Sequence, residues 1–172
     1  MIERHYLDDV LVQLRKLKDQ ADKAVAQIDD EQLFAVLDPE ANSIAVLMKH
    51  IAGNMRSRWT DFLTTDGEKP DRDRDREFEA EETRAATLAR WNDGWDCTFR
   101  GLSALSPADL DRTVSIRGEA HSVVQAINRQ LTHYAAHVGQ IVLLAKHYAG
   151  VKWQTLSIPK GKSKEFGRIR TQ

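Results

Sequence analysis

The sequence predicts an all-α protein of four long helices, with one small β-hairpin between the third and the fourth. Apolar residues recur at steps of three and four over four long segments, as they do on one face of an amphipathic helix. Polar segments containing Pro or Gly separate these segments, and a single short run is rich in β-branched residues. At 172 residues we expect one domain, residues 1–172, with a sizeable core.

The first two helices are predicted over residues 2–28 and from residue 44 to residue 62. Ser43 is the predicted N-cap of the second helix, because its hydroxyl can accept a hydrogen bond from the first turn. Gly67 and Pro70 follow the second helix and indicate a turn. Residues 71–76 then alternate between Asp and Arg. This alternation predicts a solvated connection between the second and third helices.

The third helix is predicted over residues 83–105, where Ser106-Pro107 ends it. Gly94 weakens this prediction, because a glycine inside a helix costs about 1 kcal/mol relative to alanine. The residues expected to face inward share a large apolar side chain: Leu88, Trp91, Trp95, Phe99 and Leu102.

A change of pattern after residue 110 predicts the hairpin and the start of the fourth helix. Residues 113–116 are mostly β-branched, and residues 117–119 form a turn signal. Ser122 and Gln125 match the capping box that opens a helix, here residues 123–148, with Gly150 as the residue that ends it. Residues 151–172 are expected to lie on the helices as a strap with a basic end.

Composition and charge exclude several functions. The formal net charge is −1, which gives no reason to expect nucleic acid as a partner. A single cysteine, Cys97, cannot form an intrachain disulfide and suits a reducing compartment. No apolar stretch approaches the length of a membrane span, and residues 1–5 lack a signal-peptide core. We therefore expect a cytoplasmic protein that binds no membrane.

Two histidines on the fourth predicted helix form a candidate metal site. His133 and His137 are four residues apart, which places both imidazoles on one helix face about 5–6 Å apart at Cβ. His50, on the inward face of the second helix, is the candidate third ligand. Three histidines from two helices would leave open coordination positions, as a reactive site requires. Nearby polar residues could orient these ligands: Asn54, Arg129 and Gln140.

Other chemistries receive less support from the sequence. Cys97 follows Asp96, whose charge would disfavour a thiolate, and the glycines form no phosphate-binding loop. The residue after His133 is Tyr134 and not the Glu that a zinc protease helix requires as general base. The histidines could also be ordinary surface or core residues that only make hydrogen bonds.

The sequence resembles the DinB-like (YfiT-like) superfamily of metal-dependent enzymes over nearly the whole chain, closest to a bacterial branch with a distinctive tail. The matching features are His50 with Trp59 nine positions on, and the His133-x-x-x-His137 pair. Three stretches resemble that branch specifically: residues 126–131, 137–141 and 153–159, the last reading Trp-Gln-Thr-Leu-Ser-Ile-Pro.

This resemblance implies a four-helix bundle with a long crossover between helices two and three, and a divalent ion, nickel or zinc, on His50, His133 and His137. It also implies transfer of a low-molecular-weight thiol, such as bacillithiol or mycothiol, to an electrophile. A non-catalytic metal-binding helical protein is the alternative. A homodimer is expected from the resemblance and from the aromatic bulk of Trp59, Trp91, Trp95 and Phe99.

Overall fold

Helices make up most of the computed structural model, which describes residues 2–79 and 83–166. The predicted mainly-α class is confirmed, with one small antiparallel hairpin. The elements in chain order are α1 (Ile2–Val25), α2 (Asp30–Phe34), α3 (Ile44–Trp59), α4 (Arg84–Ser103), β1 (Thr113–Ile116), β2 (Glu119–Ser122), α5 (Val123–Ala149) and α6 (Ser163–Phe166).

The boundaries of the first two long helices differ from the prediction. α1 ends at Val25 and not at residue 28, because Asp29 starts the separate helix α2 with a capping box to Gln32. Burial of Leu33, which is fully covered, holds this short helix on the core. Ser43 caps α3 as predicted, but α3 ends at Trp59, three residues before the predicted end.

The four long helices contact one another in a ring. α1 packs against α4 and α5, and α3 packs against the same two helices. Gly94 explains how α3 and α4 come so close, because a Cβ there would lie 2.8 Å from Ala52 Cα. Trp91 and Trp95 are buried in the core of this chain, with 1% and 0% of their surface exposed.

The hairpin precedes α5 where the β-branched run predicted it. Thr113 pairs with Ser122 and Ile116 with Glu119. The turn residues Arg117 and Gly118 have φ of 58° and 75°, as a two-residue type I′ turn requires. The capping box of Ser122 and Gln125 is present at the start of α5.

The residues after α5 lie partly on the helices. Trp153 and Leu156 are half-buried against the core, and the Gln27 side chain exchanges two hydrogen bonds with the backbone of Gln154. The basic end that was predicted includes Arg168 and Arg170, which lie outside the described residues. Among the helices that the structure describes, none is long and apolar enough to cross a membrane.

Candidate metal centre

The three histidines singled out by the sequence meet at one place between α3 and α5. One ring nitrogen from each of His50, His133 and His137 lies within 4.8 Å of the other two. His133 Nε2 and His137 Nε2 are 3.1 Å apart, and the His50 ring is 5.5 Å and 5.1 Å from the other two ring centres. The helical spacing of four explains the close pair, and the packing of α3 on α5 brings the third imidazole.

The pattern of buried residues on each helix turns the imidazoles toward this point. On α5, Tyr134 and Val138 are buried and follow directly after His133 and His137. On α3, Leu47 and Ile51 are buried on either side of His50. Each histidine therefore lies at the edge of its core-facing stripe and remains partly exposed: 12% of the His50 side chain is accessible.

The spacing of the His133 and His137 nitrogens fits a bound divalent ion. Two nitrogens that bind one ion at about 2.0–2.1 Å, with an angle of about 90–110° between them, lie roughly 2.9–3.4 Å apart. The 3.1 Å between His133 Nε2 and His137 Nε2 falls in this interval. Three imidazoles are a donor set typical of zinc, nickel and similar ions.

The protonation state of the pair favours metal binding. Burial, together with the neighbouring His137, His50, Arg58 and Arg72, lowers the pKa of His133 to about 4. Burial also lowers the pKa of His137, which a hydrogen bond to Gln140 partly offsets. Both imidazoles are consequently neutral at physiological pH, and a neutral imidazole is the form that ligates a metal.

Glu77 holds His50 in one orientation. Its Oε2 atom lies 3.0 Å from His50 Nδ1, and Arg72 binds the same carboxylate through Nε at 2.7 Å and Nη2 at 2.8 Å. Although burial raises the pKa of Glu77, hydrogen bonds from Arg72 and His50 keep it below its usual range. The ionised carboxylate accepts the Nδ1 proton, which leaves His50 Nε2 free as a ligand atom.

Arg72 lies within residues 71–76, which were predicted to be a solvated connection, and for Arg72 that prediction is wrong. Only 4% of the Arg72 side chain and 8% of the Glu77 side chain are exposed. An imidazole on an inward face needs a polar partner, but no local pattern in the sequence pointed to Glu77. Phe78, the next residue, stacks on the His50 ring at 4.8 Å.

The three residues proposed to orient the ligands take different positions. Gln140 Oε1 lies 2.7 Å from His137 Nδ1 and fixes that ring as Glu77 fixes His50. Asn54 is buried, but its Oδ1 accepts from the Tyr134 hydroxyl at 3.2 Å, which in turn accepts from Trp59 Nε1. Burial holds the pKa of Tyr134 above its usual range, so the hydroxyl keeps its proton. Arg129 contacts none of the three imidazoles by a hydrogen bond among the described residues.

A cavity of about 450 Å³ opens beside the histidines. His50 and His133 form part of its wall, together with the side chains of Asn54, Gln130 and Arg129. A molecule that enters this cavity would reach two of the three imidazoles directly. The site therefore has both three side chains that could hold a metal ion and space for a small molecule next to two of them.

Fold and site together define a helical protein with a three-histidine group that can hold a metal ion. The chain belongs to the family described as "Protein of unknown function (DUF1572)", whose sequence profile matches residues 1–162. A comparison with curated proteins finds no significant match.

Proposed function

We propose that this protein is a metal-dependent enzyme of the DinB-like superfamily and that its four long helices form the bundle typical of that superfamily. The ring of contacts among α1, α3, α4 and α5 supports the bundle. The long connection between α3 and α4 corresponds to the crossover, and it supplies Glu77 to the site.

Within this proposal, Nε2 atoms of His50, His133 and His137 hold one divalent ion, nickel or zinc. The observation that carries the proposal is the convergence of three imidazoles, two of them oriented through Nδ1 by Glu77 and Gln140. Orientation of ligands by such outer hydrogen bonds is typical of protein metal sites. Three protein ligands would leave coordination positions for a small molecule.

The reaction proposed is transfer of a low-molecular-weight thiol to an electrophile. A bound divalent ion with open positions would stabilise a thiolate at neutral pH. The sulfur–carbon bond forms as the bond between carbon and the leaving group breaks. The thiol proton passes to solvent, and the leaving group departs with the bonding electron pair. The residues of this chain hold the ion, fix the imidazoles and enclose the reactants.

The test compares wild type with His137→Ala, with His147→Ala as control because that histidine lies exposed on the same helix. We expect one ion per chain and a raised melting temperature with Ni²⁺ or Zn²⁺ in wild type and in the control, and neither in His137→Ala. Thiol transfer to a haloaromatic should be lost in the same variant. Equal metal content in all three proteins would refute the site.

Two other results would favour other functions. Metal binding without thiol transfer, across a panel of thiols and electrophiles, would favour a non-catalytic metal-binding protein. Failure of wild type to bind any divalent ion would favour a metal-free helical protein in which His133 and His137 share only their 3.1 Å hydrogen bond.

We also propose a homodimer, which is now supported by the resemblance to the DinB-like superfamily alone. The aromatic side chains that suggested an interface are used inside the chain, since Trp59, Trp91 and Trp95 are each at most 3% exposed. Light scattering at micromolar concentration tests the proposal. A mass of 19.6 kDa would show a monomer and refute it.

A further inference from the structure

The cavity beside the histidines is lined by arginines and, among the described residues, by no acidic side chain. Five line it: Arg58, Arg72, Arg74, Arg117 and Arg129. Arg58 and Arg72 are buried, and both form ion pairs with Glu68. Arg72 also pairs with Glu77, and Arg117 shares Glu68 at 3.2 Å. The carboxylates of Glu68 and Glu77 thus form ion pairs with three of the five guanidinium groups.

The remaining two arginines have no acidic partner within residues 2–79 and 83–166. Arg74 and Arg129 are exposed where they line the cavity, and neither guanidinium group forms an ion pair or hydrogen bond with a described residue. They belong to different elements, since Arg74 lies in the connection between α3 and α4 and Arg129 lies in α5. The described lining of this concave space therefore carries positive side chains and no negative ones.

Buried polar atoms without partners also line the cavity. Gln130 is 3% exposed, and its Oε1 has no hydrogen-bond partner. Arg58 is 2% exposed, and its Nε likewise lacks a partner. Buried polar groups are rarely left unpaired, because desolvation without a hydrogen bond is costly. Both residues line the cavity, and the unpaired Arg58 Nε–H is a donor from which an oxygen atom of a bound anion would accept a hydrogen bond.

We propose that this cavity binds the anionic group, carboxylate or phosphate, of a small molecule. Guanidinium groups match the planar geometry of a carboxylate and the oxygens of a phosphate. A cavity of about 450 Å³ suits a small molecule. Since His50 and His133 share the wall, the same molecule can reach the ion site. The role of this small molecule as a substrate rests on the proposed function, whereas the binding of its anionic group does not rest on it.

The experiment titrates metal-free protein by calorimetry at low ionic strength with succinate, inorganic phosphate and, as the uncharged counterpart, succinamide. We expect saturable binding of at least one anion, none of succinamide, and weaker binding as salt increases. Arg129→Gln and Arg74→Gln should each lower the affinity about tenfold or more, since each removes a charged donor. Arg100→Gln, an exposed arginine outside the cavity, should leave it unchanged.

A second kind of variant places a negative charge in the lining of the cavity. Gln130→Glu keeps the size of the side chain but adds a carboxylate beside the arginines, so it should abolish anion binding. Circular dichroism checks that each variant folds. Preference for succinate or for phosphate identifies the anionic group. No saturable binding by wild type, or an equal loss in Arg100→Gln, would overturn the proposal.

His137→Ala separates this inference from the proposed function. If that variant loses the metal but binds the anion as wild type does, both proposals stand. If wild type binds metal and no anion, only the anion site is wrong. If it binds the anion and no metal, only the metal site is wrong.

Discussion

Glu77 Oε2 lies 3.0 Å from His50 Nδ1, although the two residues are 27 positions apart and belong to different elements. The carboxylate lies on the crossover and the imidazole on α3. Arg72 holds Glu77 from the other side with two hydrogen bonds. The connection between α3 and α4 is thus part of the candidate metal centre, because its Glu77 binds Nδ1 of one of the three histidines.

We expect Glu77→Gln to weaken metal binding by about 10- to 100-fold, the usual cost of losing an outer hydrogen-bond partner of a ligand. The amide is a weaker acceptor for Nδ1–H and leaves Arg72 without one of its carboxylates. Glu79→Gln is the control, because it removes the same charge from an exposed position two residues away. Competition with a chelator of known affinity measures the effect, and equal affinity in both variants would contradict it.

A second prediction concerns the space that Glu77 occupies. Gly53 lies under its carboxylate, and a Cβ there would collide with Oε1. Gly53→Ala should displace Glu77 and weaken metal binding by about tenfold or more. Gly139→Ala is the matched control, because a Cβ at that helical position meets no atom within 4 Å. It should leave metal affinity unchanged and stabilise the fold by about 0.5–1 kcal/mol, as measured by urea unfolding.

The pKa of His133 predicts a pH dependence of stability in the metal-free protein. This pKa is about 4 in the folded state and about 6.5 in the unfolded chain. Between these values the unfolded chain binds more protons, so the free energy of unfolding falls as pH falls. Urea unfolding at about pH 7 and about pH 5 measures this. His133→Asn should reduce the difference; an unchanged difference would contradict the assignment.

Removal of the buried hydroxyls of two tyrosines should have different effects on the free energy of unfolding. Tyr134→Phe leaves Trp59 Nε1 and Asn54 Oδ1 without their partner. It should lower the free energy of unfolding by about 2–4 kcal/mol, since each unpaired buried group costs about 1–3 kcal/mol. The Tyr148 hydroxyl is buried without a partner, so Tyr148→Phe should be neutral or stabilising. Equal effects in the two variants would be inconsistent with this interpretation.

The long helices could be predicted from the sequence because their apolar residues follow the helical period over four or more turns. Ser43, Ser122 and Gln125 marked helix starts through hydrogen bonds that are local in sequence. α2 was missed because the apolar steps of α1 continue to residue 28. Its Asp29–Gln32 capping box was nevertheless a signal of a new helix.

The candidate site could also be predicted from the sequence only in part. The spacing of His133 and His137 predicts their proximity, because both lie on one turn of one helix. The contact of His50 with Glu77 depends on how the crossover folds onto α3, and no local pattern encodes that. Alternating Asp and Arg are typical of solvated segments, so the burial of Arg72 was not predicted, although its partners Glu68 and Glu77 lie only four and five residues away in the sequence.

The division of the three histidines, two on α5 and one on α3, has a consequence for how quickly an ion is exchanged. A helical turn of α5 alone brings His133 and His137 together, whereas His50 joins them only while α3 and α5 are packed. Transient separation of these helices would leave the ion on two ligands, where a competing chelator can remove it. The rate at which a chelator strips the metal would then report how often α3 and α5 separate in the native protein.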